Sequence, residues 1–270
     1  MKRNPVSILI IALSFASCER VIDINLNEAN PKIVIEANIH NNNSDCLVKI
    51  TRTGNYFLPY TPEKVSKAVI SLTNQLTEYS FSEIEEGVYR INKIGKLIPT
   101  SYSLSVNVDG ELYEAVSKMP TPVRLNYLNF EYVEETYLQD AGYRVNFSLT
   151  DPKDEENHYR VRYSVNGELQ NDGNDYYLIT DELFNGNSVQ MQLYGKRFDK
   201  GDKVTVELMS IDKNAYDYFN TLLDVIAQST IESTAPANPK SNFSNGALGY
   251  FSAYSSDIKF IIVGESNLGN

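Results

Sequence analysis

The chain has 270 residues, of which 24 are lysine or arginine and 35 are aspartate or glutamate, so its formal charge is -11. This acidic balance argues against nucleic acid or anionic lipid as a direct partner, because both require a basic face. The length is enough for one large domain or two of ordinary size, and we predict two.

The first residues have the order of features found in an exported protein. A positive head at residues 2–3 precedes an apolar segment over 6–16, which is far shorter than the roughly 20 residues of a membrane-spanning helix. Two small residues then precede Cys18, as in a bacterial lipobox, where the thiol receives lipid chains such as palmitate. We predict a signal peptide over 1–17 and a lipidated Cys18 with a spacer over 18–30. The alternative is an ordinary signal peptide that leaves Cys18 unmodified.

Residues 31–118 show the period-two alternation of half-buried β-strands. Alternating runs on both sides of Asp109-Gly110 predict a tight hairpin, because both turn residues tolerate positive φ. With the other runs they predict about seven short strands in an antiparallel β-sandwich. Cys46 lies in one of these runs and is expected to be a buried, small apolar residue.

Residues 119–270 repeat this pattern after a proline-containing connector near residues 118–125. Six alternating runs predict strands, and Asn166-Gly167 supplies another hairpin turn. The apolar residues then recur at helical spacing, which predicts one amphipathic helix near 213–228 with Asp212 or Asn214 as its N-cap. A long loop rich in Pro, Asn, Ser and Gly should lead into a final strand over 258–265.

Groups that carry catalysis are scarce. His40 and His158 are the only histidines, and neither stands beside a second ligand type at metal spacing. The sequence also has no HExxH motif, no paired CxxC motif, no serine-hydrolase elbow and no glycine-rich phosphate loop. We therefore expect no enzyme activity, no catalytic residue, no cofactor and no metal site.

Two acidic loops leave calcium binding open as an alternative. The stretches DPKDEEN over 151–157 and NDGND over 171–175 both contain oxygen ligands, but neither has the spacing of an EF-hand. The favoured interpretation is a solvated turn between two strands. A hydrolase that works through the carboxylates of these loops is a further alternative, and it requires Asp151 or Asp154 to lie within roughly 10 Å of another carboxylate across a pocket.

One loop in the first module interrupts the strand alternation and is the predicted binding site. In GNYFLPYTPEK, four apolar side chains stand together between a glycine and two prolines: Tyr56, Phe57, Leu58 and Tyr60. Such a loop either buries these side chains under the sandwich or presents them to a partner.

The order of several motifs resembles a known family. The motifs are the lipobox followed by ERVIDINL, the pair KAVISL and EEGVYRI, LYEAVSKMP, FSLTDPKDEENHYRVR, YLITDELFNGN and PANPKSNFSNGALGYFSAYS. Together they resemble domain-of-unknown-function family 4249, lipoproteins often found beside TonB-dependent receptors in Bacteroidetes-type bacteria. The most specific piece is the last, in which the matching residues are Asn242, Asn245, Gly246, Gly249 and Phe251.

The resemblance implies a mainly β protein, with an immunoglobulin-like antiparallel sandwich over 31–118 and a second β-sandwich-like domain over 119–270 that carries the helix. It also implies a non-catalytic outer-membrane lipoprotein that assists a TonB-dependent receptor in nutrient capture. Partners would then be the membrane, through the lipid anchor, and that receptor, with no nucleic acid; the ligand and the membrane face are not predicted. The alternative is a surface glycan-binding or adhesive protein that acts without a transporter.

Overall fold

The structure is a computed structural model. It describes residues 31–42, 46–54, 61–92, 97–137, 140–153, 155–171, 175–229 and 238–265. The predicted signal peptide, the predicted lipid anchor at Cys18 and the spacer lie outside these ranges.

The described part of residues 31–118 contains eight strands. They are β1 (Ile33–His40), β2 (Leu47–Arg52), β3 (Glu63–Lys64), β4 (Val69–Thr73), β5 (Glu78–Glu85), β6 (Val88–Ile91), β7 (Ser101–Val108) and β8 (Glu111–Lys118).

The described part of residues 119–270 contains eight more strands and one helix. They are β9 (Leu125–Val133), β10 (Gly142–Thr150), β11 (His158–Val165), β12 (Glu168–Gln170), β13 (Tyr177–Thr180), β14 (Ser188–Gln192), β15 (Lys203–Ile211), α1 (Lys213–Ser229) and β16 (Leu248–Ile262). The predictions of a mainly β fold and of one helix are confirmed. None of the helices in the described ranges has the length and apolar character needed to cross a membrane.

The strands form one large sheet and one small one. The large sheet has 13 strands in the order β12-β11-β15-β16-β1-β2-β6-β5-β4-β7-β8, with β13 paired to β11 and β3 paired to β2. The small sheet has the order β14-β10-β9.

Both predicted hairpin turns are confirmed. Asp109 and Gly110 join β7 to β8 with φ values of 53° and 92°. Asn166 and Gly167 join β11 to β12 with the same pair of φ values. These left-handed conformations are the reason that Asn-Gly and Asp-Gly predict a two-residue hairpin.

Strand β16 connects the two halves of the large sheet. Its first half pairs in parallel with β1, from Leu248 opposite Val34 to Tyr254 opposite His40. Its second half pairs antiparallel with β15, from Ser255 opposite Ser210 onward. The sequence-based start of this strand at residue 258 is therefore wrong, because the pairing with β1 begins ten residues earlier.

Two large hydrophobic clusters lie on either side of the predicted connector. The first draws its residues from between Ile33 and Met119 and from the start of β16, and it includes Cys46, which is fully buried as expected. The second draws its residues from between Val123 and Val263 and lies between the small sheet and strands β11, β15 and β16. The division into two domains at residue 119 stays a prediction.

The loop before β16 is bound to neighbouring strands by its own side chains. The Asn242 amide donates to the carbonyl of Phe251 at 2.8 Å and accepts from its amide at 2.9 Å, so one side chain takes the place of a paired strand residue. Asn245 donates to the carbonyl of Leu112 on β8 at 2.5 Å. These bonds give Asn242, Asn245 and Phe251, which are among the most specific residues of the family resemblance, structural roles.

Helix α1 begins after Asp212, which confirms one of the two predicted N-caps. The Asp212 carboxylate accepts from the amide of Ala215 at 2.9 Å and from the amide of Lys118 at 2.9 Å. Burial raises the pKa of Asp212 above its usual range. Through these two hydrogen bonds the carboxylate satisfies one free amide of the helix and also ties the helix to the end of β8.

We expect Asp212→Ala to lower the free energy of unfolding by about 1–2 kcal/mol, because the helix loses its N-cap. Urea denaturation followed by circular dichroism measures the change. The matched control is Asn214→Ala, the other predicted N-cap, whose side chain is exposed. An equal loss in the two variants would contradict the assignment.

Candidate functional site

A cleft of about 470 Å³ lies on the large sheet, beside the face that α1 covers. We call it the β1–β16 cleft, because Asn38 and His40 of β1 and Tyr250 and Tyr254 of β16 line its centre. Side chains alternate along a strand, so the other residues of β1 point into the first hydrophobic cluster and leave these ones for the cleft. The parallel register places His40 directly opposite Tyr254.

The two tyrosines form an aromatic wall that is held in place. The hydroxyl of Tyr250 accepts a hydrogen bond from the Asn38 amide at 2.8 Å. The ring of Tyr254 lies 5.3 Å from that of His40, centroid to centroid. Burial raises the pKa of both tyrosines, so both phenols are protonated at neutral pH.

Two arginines of β11, Arg160 and Arg162, also line the cleft, and they differ in their partners. Arg162 donates to one carboxylate oxygen of Glu207 from Nη2 at 2.6 Å and from Nε at 3.1 Å, across the β11–β15 pair. Burial alone would lower the pKa of Arg162, but the Glu207 carboxylate outweighs it and the pKa is raised. The positive charge of Arg162 is therefore neutralised by Glu207, and the two side chains lie on the cleft side of β11 and β15 as an ion pair.

Arg160 has aromatic neighbours instead of a carboxylate. Its guanidinium carbon lies 4.0 Å from the centre of the Phe219 ring on α1 and 5.2 Å from that of Tyr176. Its Nε is buried and has no hydrogen-bond partner among the described residues. Burial lowers the pKa of Arg160, with a smaller contribution from the positive charge of Arg162. The guanidinium is still charged at neutral pH, since arginine starts from a very high pKa.

This arrangement suits recognition of a ligand. The cleft is lined mainly by polar and charged side chains, with three tyrosines and two leucines among them. Oriented polar groups beside aromatic rings in a concave site are a feature of small-molecule binding. Within the described ranges, no cluster of three or more His, Cys, Asp or Glu residues is placed to hold a metal ion. Glu36 and Lys49 lie opposite each other at the exposed edge of the cleft.

Two aspartates of the acidic loops bind tyrosines of the second hydrophobic cluster, whereas Glu155 and Glu156 are exposed. Asp151 accepts from the Tyr159 hydroxyl at 2.5 Å and from the Gly186 amide at 2.9 Å. Asp175 accepts from the Tyr163 hydroxyl at 2.5 Å. These two side chains are buried, so the prediction of a solvated turn is wrong for them. Asp154 and residues 172–174 lie outside the described ranges.

The residues that the sequence singled out as sites are not described by the structure. Cys18 and the loop residues Tyr56, Phe57, Leu58 and Tyr60 all fall outside the described ranges. The β1–β16 cleft was not predicted from the sequence. The one sequence feature that could have indicated it is the pair Arg160 and Arg162, two like charges on one face of a strand whose other face is apolar.

The sequence was compared with known proteins. The model of one family, described as "Domain of unknown function (DUF4249)", matches residues 19–259. No curated protein matches the chain.

Proposed function

The chain belongs to the DUF4249 family, and from this membership and the β1–β16 cleft we propose that it is a non-catalytic binding protein of the outer membrane. In this proposal a lipid on Cys18 anchors the protein, and the protein assists a TonB-dependent transporter in nutrient capture. The single observation that carries the binding role is the cleft, where a guanidinium lies among aromatic rings without a carboxylate partner in the described residues.

The groups that line the cleft support binding rather than a reaction. Arg160 is a cation that stays charged, and the phenols of Tyr250 and Tyr254 stay protonated. Such groups orient a ligand by charge and hydrogen bonds, and the histidine of the cleft, His40, packs its ring against that of Tyr254. The cleft is therefore suited to the reversible binding of a ligand.

The anchor follows from the N-terminal sequence. A positive head, a short apolar segment and two small residues precede Cys18 in the order of a lipobox. Several lipid chains on one cysteine hold a protein at a bilayer effectively permanently. An acidic protein without a basic membrane-binding face needs such an anchor to stay at a membrane.

The anchor is tested by fractionation. We expect Cys18→Ser to move the protein from the membrane fraction to the soluble fraction, because the serine hydroxyl is not a substrate for lipidation. Cys46→Ala is the matched control, since Cys46 is buried and its loss leaves the anchor in place. A Cys18→Ser protein that stays membrane-bound would contradict the anchor.

The transport role is tested by co-purification. Affinity capture of the wild-type protein from detergent-solubilised outer membranes should recover a large β-barrel receptor. Repeated recovery of the protein alone would contradict the transport role. Glycan binding that persists after deletion of the neighbouring transporter genes would instead support a surface glycan-binding or adhesive protein.

A further inference from the structure

The β1–β16 cleft contains one guanidinium, that of Arg160, to which no described residue supplies a carboxylate. Arg162 is paired with Glu207, and Asp175 accepts a hydrogen bond from Tyr163. Arg160 forms neither an ion pair nor a hydrogen bond with any described residue, and its Nε is buried. Arg160 is half-buried, and a charge that leaves water without a partner is unfavourable, so an arginine in this position is suited to an anion that arrives with the ligand.

The aromatic neighbours of Arg160 hold the guanidinium in place. The Phe219 ring lies against it at 4.0 Å, and this contact is favourable for a cation but provides no hydrogen-bond acceptor. A planar guanidinium binds carboxylates and phosphates through two parallel N–H bonds. Arg160 therefore has its charge and its donors available for an oxyanion.

The surrounding charges favour an anion with a single negative charge. Lys49, Arg160 and Arg162 line the cleft together with the carboxylates of Glu36 and Asp175, and Glu207 neutralises Arg162, so these groups already balance one another in charge. A dianion such as phosphate would therefore leave two uncompensated negative charges, whereas a monoanion would leave one. A carboxylate matches the one charge of Arg160.

We infer that the β1–β16 cleft binds a small organic ligand through a carboxylate group that pairs with Arg160. The body of the ligand lies against Tyr250 and Tyr254, whose rings form the wall beside β1. The cleft volume of about 470 Å³ admits a ligand larger than a simple acetate ion. This inference rests on the proposed binding function and specifies the class of ligand.

The test uses the full-length protein in detergent micelles and pairs of probes that differ only in the carboxylate. Galacturonate is compared with galactose, and N-acetylphenylalanine with its amide, by isothermal titration calorimetry. The two pairs distinguish a sugar body from a peptide-like body. We expect the carboxylate member of at least one pair to bind about 10- to 100-fold more tightly, the range expected for a charged hydrogen-bonded pair.

Arg160→Gln should abolish this preference and leave binding of the uncharged member unchanged. Arg124→Gln is the matched control, because Arg124 is an exposed arginine outside the cleft. This variant should bind every probe as the wild type does. Thermal unfolding of each variant verifies that it is folded. If Arg160→Gln does not fold, Arg160→Lys replaces it and should retain only part of the preference, because lysine keeps the charge but not the planar fork.

Three results would overturn the inference. They are equal binding of both members of each pair to the wild type, a carboxylate preference that survives Arg160→Gln, and tighter binding of inorganic phosphate than of either carboxylate. Binding in micelles requires neither lipidation nor a receptor. A failure here is therefore distinguishable from a failure of the fractionation and co-purification tests.

Discussion

Gly249→Ala is expected to lower the free energy of unfolding by about 2–5 kcal/mol, the sum of a backbone strain and a steric clash. Gly249 has φ of 92°, where a side chain is strained. An added Cβ would lie 2.0 Å from the carbonyl oxygen of Ile35 on β1. Because that atom belongs to the backbone of the paired strand, relief of the clash requires β1 and β16 to separate.

The control for this prediction is Gly110→Ala in the β7–β8 turn. Gly110 has the same φ of 92°, but an added Cβ there would meet no atom within 4 Å. The control therefore measures the strain alone, about 1–2 kcal/mol. Urea denaturation of both variants gives the difference, and equal losses would mean that β1 and β16 do not approach each other as closely as the structure shows.

The second large effect is expected at Asp151, a carboxylate with 3% exposure. Asp151→Ala removes the acceptor for the buried Tyr159 hydroxyl and for the part-buried Gly186 amide, so both donors lose their partner. We expect a loss of about 2–5 kcal/mol, because each unsatisfied donor costs about 1–3 kcal/mol. Urea denaturation measures the loss.

A double-mutant cycle separates the two bonds. Tyr159→Phe removes one donor and leaves Asp151 bonded to Gly186, so its loss should be smaller than that of Asp151→Ala. The cycle should give a coupling energy of about 1.5–3 kcal/mol, the range for a hydrogen bond to a charged group. Glu155→Ala, an exposed change in the same loop, should alter stability by less than about 0.5 kcal/mol. Losses that simply add in the double variant would contradict the role of the short bond.

Local patterns predicted much of the fold. One of the six alternating runs that predicted strands contains Tyr159, Val161 and Tyr163, and the structure places all three on β11 in the second hydrophobic cluster. Turn chemistry located both hairpins, and helical spacing located α1 to within one residue. Each of these features depends on residues close together in the chain, which is why sequence periodicity reveals them.

The candidate site was much less predictable. Arg160 belongs to β11, and its chemical role depends on Phe219 of α1 and on Tyr250 and Tyr254 of β16. These residues are distant in sequence, and although Arg160, Tyr250 and Tyr254 lie in segments of the family resemblance, those segments predict no binding role. The alternation of residues along β11 also does not indicate whether the face that carries the arginines contacts water, a carboxylate or an aromatic ring.

The amino-acid sequence by itself determined most of the strands, the two hairpin turns, the helix and membership of the family, because local backbone preferences and residue order encode them. Only the tertiary structure decided that β16 starts at Leu248, pairs with β1 in parallel and supplies the tyrosine wall of the cleft. The physical reason is that strand pairing across more than 200 residues depends on which backbone edges and apolar faces meet when the chain packs. That choice leaves no periodic signal in either strand.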